Sequence, residues 1–255
     1  MLPTRPTHPF PSRPARRPRT GAASVLLGTA ALLLLPALSP SLAVAAQSVT
    51  LDQGTFRITV DGREAGTESF TIRRSGAGEA AQVIATAEIQ MEVPEGRADI
   101  RPALQAAGSD MAVSAYQVKI SGALQEEVYV TLGERRFLTT VRSERGERER
   151  EFRAAPGTVL LDPGVAHQYY FLATRVGDLG ATFPVISPRE GRQFDLQVTV
   201  VGTESITIGG TSVQARHLRL EGEGGTRELW VNGEGRVLRL EHADAGYVAV
   251  RQAAP

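Results

Sequence analysis

The chain has no cysteine and only one lysine, Lys119, in 255 residues. The missing thiols exclude disulfides, thiol nucleophiles and thiolate metal sites. They also exclude the lipidated cysteine that anchors a bacterial lipoprotein. A lone lysine makes Schiff-base chemistry a poor expectation. Aromatic residues are 5% of the chain, and tryptophan occurs once, as Trp230. An outer-membrane barrel needs strands of about 10 residues with an apolar lipid-facing stripe and aromatic girdles. So few aromatics, and arginines inside most strands, argue against one. No apolar run makes a good membrane span of about 20 residues. The best run, residues 21–38, is broken by Pro36.

What stands at the start is an export leader. Arg5, Arg13, Arg16, Arg17 and Arg19 form a basic, proline-rich opening without an acidic residue. The apolar run follows, and the small residues Ala43-Val44-Ala45-Ala46 close it. Basic, apolar and small segments in that order predict a cleaved secretory signal over residues 1–46 and a single exported domain over residues 47–255. The periplasm is the expected compartment, with membrane contact peripheral at most. The five leader arginines leave with the signal, so a formal charge of zero becomes 23 basic residues against 28 acidic, a net of −5. A mildly acidic domain without a basic patch is not expected to bind nucleic acid.

The exported part reads as β almost throughout. Short runs rich in Val, Ile, Thr, Phe and Tyr alternate with Gly, Asp-Gly, Asn-Gly and Pro breaks. Residues 55–60 alternate polar and apolar, Asp61-Gly62 turns the chain, and residues 67–74 return. Strands are also predicted over residues 81–91, 97–107, 111–120, 127–132 and 137–143, then a charge-alternating run over 143–153. A closing meander follows over residues 193–201, 204–208, 211–220, 226–231, 236–242 and 247–251. Its clearest turn is Asn232-Gly233-Glu234-Gly235, where Asn-Gly supplies the positive φ angles that tight hairpins need. One segment departs from the pattern. Asp162-Pro163-Gly164 reads as a cap with proline at the first helical position. It predicts one amphipathic helix through residues 165–175, ending near Gly177. The expected fold is mainly β: a large curved antiparallel sheet or an incompletely closed β-barrel, with one inserted helix.

The order of landmarks carries a resemblance. Leu161-Asp162-Pro163, Tyr169-Tyr170, Gly180, Val200-Val201-Gly202-Thr203-Glu204, Leu229-Trp230-Val231 and Gly246-Tyr247 follow one another. Gly54-Thr55-Phe56 and Asp61-Gly62 stand at the front. In this order the chain resembles a family of uncharacterised bacterial periplasmic proteins, catalogued as a domain of unknown function (DUF3108-like). That resemblance implies an exported, β-rich domain with no established activity. In outline the chain is also similar to the half-barrel lipoprotein carriers of the envelope, whose curved sheet cradles acyl chains.

Three functional readings stand. The first is non-catalytic binding of an apolar, lipid-like small molecule or of an envelope protein. Phe56, Ile58, Phe70 and Ile72 would line the concave face, with Tyr169, Tyr170 and Trp230 as further candidates. The second is an enzyme using His167, beside Asp162, or the pair His217 and His242. No histidine stands at metal-ligand spacing from another, and no known catalytic motif occurs. No catalytic residue, metal site or cofactor is therefore assigned. The third is an assembly protein that docks through a sheet edge. In the run over residues 143–153, Glu147, Glu149 and Glu151 fall on one face and Arg148, Arg150 and Phe152 on the other. Such a strand either protects an edge from strangers or offers one to a partner.

Overall fold

The computed structural model describes residues 48–255, and the leader expected over residues 1–46 lies outside the described residues. The first half is a run of hairpins: β1 Val49–Val60, β2 Arg63–Ser75, β3 Gln82–Val93, β4 Gly96–Ala107, β5 Ala112–Gly122, β6 Glu126–Leu132, β7 Arg136–Ser143 and β8 Gly146–Arg153. The second half carries β9 Val159–Leu160, β10 Ala181–Ser187, β11 Arg192–Ile208, β12 Thr211–Gly222, β13 Gly225–Val231, β14 Val237–His242 and β15 Tyr247–Arg251.

All 15 strands join one open sheet in the order β8-β7-β6-β5-β4-β3-β2-β1-β15-β14-β13-β12-β11-β10-β9. Two meanders thus meet where the first strand pairs with the last, Phe56 opposite Arg251 and Val60 opposite Tyr247. The pairing is antiparallel except between β9 and β10, which run parallel. The sheet is not closed, and the charge-alternating β8 is one of its edges.

Local chemistry explains the joints. Asp61 and Gly62 have φ of 50° and 75°, and Val60 pairs with Arg63 across them. Positive φ at both central residues matches the twist of the flanking strands. The Asn232 turn is built otherwise. Asn232 Oδ1 accepts the amides of Glu234 and Arg236, and positive φ falls on Gly235 at 76°. A Cβ at Gly235 would stand 2.7 Å from the Thr174 methyl. The turn expected over residues 232–235 is present, but the Asn232 side chain holds it and the positive φ falls on Gly235 rather than on Asn232-Gly233. The two strands expected over residues 193–201 and 204–208 are one, β11, because a bulge between Val200 and Gly202 absorbs the irregularity.

One face of the sheet wraps a single apolar core. Into it the chain inserts residues 159–176, with β9, a 3₁₀ turn at His167–Tyr169 and the short helix α1 at Tyr170–Ala173. The helix expected over residues 165–175 is thus shorter. It is also not amphipathic, since every residue from 165 to 173 is buried. Enclosed on all sides, it buries His167 and Gln168 along with its apolar residues. Asp162 is not its cap. The Asp162 carboxylate accepts from the Tyr116 hydroxyl at 2.7 Å and from Arg189 Nε at 3.0 Å, so it serves the opposing sheet instead.

Candidate functional site

The start of the inserted plug is held from far along the sequence. Glu68 on β2 lies in phase with Phe70 and Ile72, so alternation points its carboxylate into the core. There it accepts the amides of Ala166 at 2.7 Å and His167 at 2.8 Å, and contacts His167 Nδ1 at 2.7 Å. Two backbone donors left over at the turn are satisfied by one carboxylate. Asp162 anchors the other approach: its amide donates to Gln168 Oε1 at 2.7 Å, and its side chain holds Tyr116 and Arg189.

Between the plug and the sheet remains a cavity of about 320 Å³. One wall is apolar, from Val60, Met91, Ala98, Ile100 and Ile120. Half-exposed Leu124 belongs to the lining and lies toward solvent. Tyr169, Ser187, Arg189, Arg227, His242 and Tyr247 bring polar groups to the same lining, and Tyr247 is the cross-strand neighbour of Val60. The Ser187 and Tyr247 hydroxyls are buried and have no hydrogen-bond partner. A buried hydroxyl without a partner costs about 1–3 kcal/mol.

The site's electrostatics follow from burial. The Tyr247 phenol is pushed well above the usual range by burial, with the nearby Glu68 charge and then Tyr169 adding to it. Burial likewise raises Tyr169, while the Arg227 guanidinium beside it pulls the other way. His242 is lowered, first by burial and then by Arg227. It is held neutral at pH 7, and its Nε2 donates to the Gly224 carbonyl at 2.6 Å. At neutral pH the lining therefore offers hydroxyl donors and guanidinium groups, and the imidazole adds no charge.

The residues singled out in the sequence are scattered. Phe56, Ile58, Phe70 and Ile72 are packed in the core: Phe56 stacks on Phe70 at 5.1 Å, and Phe70 on the His167 ring at 5.7 Å. None of the four lines the cavity; Tyr169 does. Tyr170 faces another way, edge-on to Phe171 at 5.8 Å and within reach of the Asp52 and Arg236 charges. Trp230 packs with a small separate cluster around Ile208, Ala215 and Leu238. There its ring stacks on His217 at 4.4 Å, and its Nε1 donates to Glu204 at 2.6 Å.

The histidines do not meet either. His217 pairs with Trp230 and His242 with Arg227, so the two lie on strands β12 and β14 with β13 between them. Trp230 and Arg227 are three residues apart, which puts them on opposite faces of the sheet. His167 is 1% exposed and absent from the cavity lining. Among the described residues no group of three His, Asp or Glu side chains is placed to hold a metal.

Arg227, Ser187 and Tyr247 were not read as site residues. One signal was present: in residues 227–231 the arginine falls in phase with Leu229 and Val231, a charge on an otherwise apolar face. The same signal marks Glu68. No helix among the described residues is long and apolar enough to cross a membrane.

No family model matches this chain and no curated protein matches it, so the DUF3108-like resemblance has no such match behind it. A solved structure from Bacteroides fragilis, described as "a putative exported protein with YmcC-like fold", overlaps 79% of this chain and 93% of its own. Its identity is 6% and its TM-score 0.37, so no argument is taken from it.

Proposed function

We propose that the protein is an exported, non-catalytic binding protein that takes an apolar, lipid-like molecule into the cavity between plug and sheet. The observation that carries this reading is the cavity itself, lined by aliphatic side chains together with the polar residues Tyr169, Arg189 and Arg227. Small-molecule sites are mostly apolar concavities of about 300–1,000 Å³ with a few convergent polar groups. The leader over residues 1–46 supports export to the periplasm, and the resemblance to periplasmic proteins of unknown activity agrees with it. On this reading the site differs from the one expected from the sequence. The ligand would sit against Val60, Ile100, Ile120 and Tyr169 rather than against Phe56, Ile58, Phe70 and Ile72.

The test is titration with N-phenyl-1-naphthylamine, a neutral apolar dye excited directly. Saturable enhancement is expected in the wild-type protein and a marked loss of it in Ala98→Phe, which fills the apolar wall. Leu124→Trp, at a half-exposed position, obstructs the cavity without entering the core and should do the same. Absence of saturable binding, or binding unchanged in both variants, would overturn the reading.

A further inference from the structure

Arg227 differs from Arg251, the other arginine buried to the same degree among the described residues. Arg251 is matched by Asp52 in a two-pronged pair at 2.7 and 3.1 Å, and Arg189 by Asp162 at 3.0 Å. Arg227 is 9% exposed and lines the cavity, yet among the described residues no carboxylate lies within ion-pair distance of it. Its recorded hydrogen bond, to the Gly225 carbonyl, is 3.5 Å long. Glu190 also borders the cavity but is exposed to water, where solvent screens its charge. A buried cation without a partner is costly, and proteins keep such groups where something neutralises them.

We infer that the ligand is a single-chain amphiphile with an anionic head, and that Arg227 is the residue that binds that head. This rests on the reading of the cavity as a ligand site. The guanidinium fork suits a carboxylate or phosphate, which accept two parallel hydrogen bonds from it. Tyr169 is beside Arg227 and offers a further hydroxyl. Val60, Ala98, Ile100 and Ile120 in the same lining offer aliphatic contact to a hydrocarbon tail. A cavity of about 320 Å³ lies at the small end of ligand sites, which favours one chain over two. Of the carboxylates that border the cavity, Asp162 is taken up by Tyr116 and Arg189 and Glu190 is exposed to water, so neither offers a cationic head the buried partner that Arg227 offers an anion.

The experiment displaces bound N-phenyl-1-naphthylamine with four twelve-carbon probes below their micellar concentrations: dodecanoate, dodecyl phosphate, dodecan-1-ol and dodecyltrimethylammonium. At least one anion should displace the dye at a concentration about tenfold or more below that of the alcohol, as a charge-assisted pair requires. Which of the two anions is stronger distinguishes a carboxylate from a phosphate head. The cation should be the weakest. In Arg227→Met the preference for the anion should vanish while displacement by the alcohol is retained, and Arg227→Lys should restore part of it. Equal displacement by alcohol and anion in the wild-type protein would overturn the inference and leave the apolar site standing. So would an anion preference that survives in Arg227→Met. Failure of the dye to bind would instead remove the site, and the inference with it.

Discussion

Glu68 and His167 lie 99 positions apart in sequence and meet in the core, carboxylate to Nδ1 at 2.7 Å, both side chains fully buried. The same carboxylate takes the amides of Ala166 and His167, so one side chain of β2 fixes where the plug begins. Replacement by alanine strands two amides and an imidazole nitrogen without solvent. Glu68→Ala should lower unfolding stability by about 3–5 kcal/mol, the usual cost of breaking a buried charged contact. Denaturant unfolding checks this, with Glu68→Gln expected to lose less because one acceptor remains.

Two buried arginines should answer oppositely to the same change. Arg251→Met leaves Asp52 buried and unmatched, where the pair also joins the last strand to the first. A loss of about 3–5 kcal/mol is expected. Arg227→Met removes a charge that has no counter-ion, so stability should hold or rise. Thermal unfolding of the two variants beside the wild-type protein decides it.

Tyr247 tests the cost of an unmet polar group. Its hydroxyl is buried without a partner, so Tyr247→Phe deletes that group. The protein should stay within about 1 kcal/mol of wild type or gain. Thermal unfolding checks this, and a clear loss of stability would show that the hydroxyl has a partner in the folded protein.

Much of this architecture is legible in the sequence, because alternation and turn chemistry are local. Phe56, Ile58, Phe70 and Ile72 fall on the buried face, and Asp61-Gly62 turns where positive φ is needed. What misleads is a local signal captured by a distant partner. Asp162-Pro163 has the form of a helix cap, yet Tyr116 and Arg189 claim the carboxylate, and the plug's amides go to Glu68. The candidate site fails to show for a related reason. Apolar alternation tells which face is inside but not what fills it, and here the chain's own plug fills most of it. The residues that mark the remaining space are charges and hydroxyls in phase with apolar neighbours, Arg227 and Tyr247 among them.

Alkaline pH should unfold the protein through its buried phenols. Burial raises Tyr116, Tyr169, Tyr170 and Tyr247 above the usual range, with the Asp162 charge adding to Tyr116. In the unfolded chain these groups lose their protons near about pH 10. Above that pH the native state holds more protons than the unfolded one. Stability is thus complete below it and falls as pH rises through the folded values. Tyrosinate absorbance from these four should appear together with loss of the β circular-dichroism signal. Ionisation within an intact fold near the ordinary phenol value would contradict this.

The most direct test of the binding account is native mass spectrometry of the protein, purified without detergent and then incubated with excess dodecanoate. The account predicts a discrete adduct of one dodecanoate that dissociates on activation, is lost in Leu124→Trp and is weakened in Arg227→Met. A bare protein mass in the wild type, or an adduct indifferent to both substitutions, would contradict it.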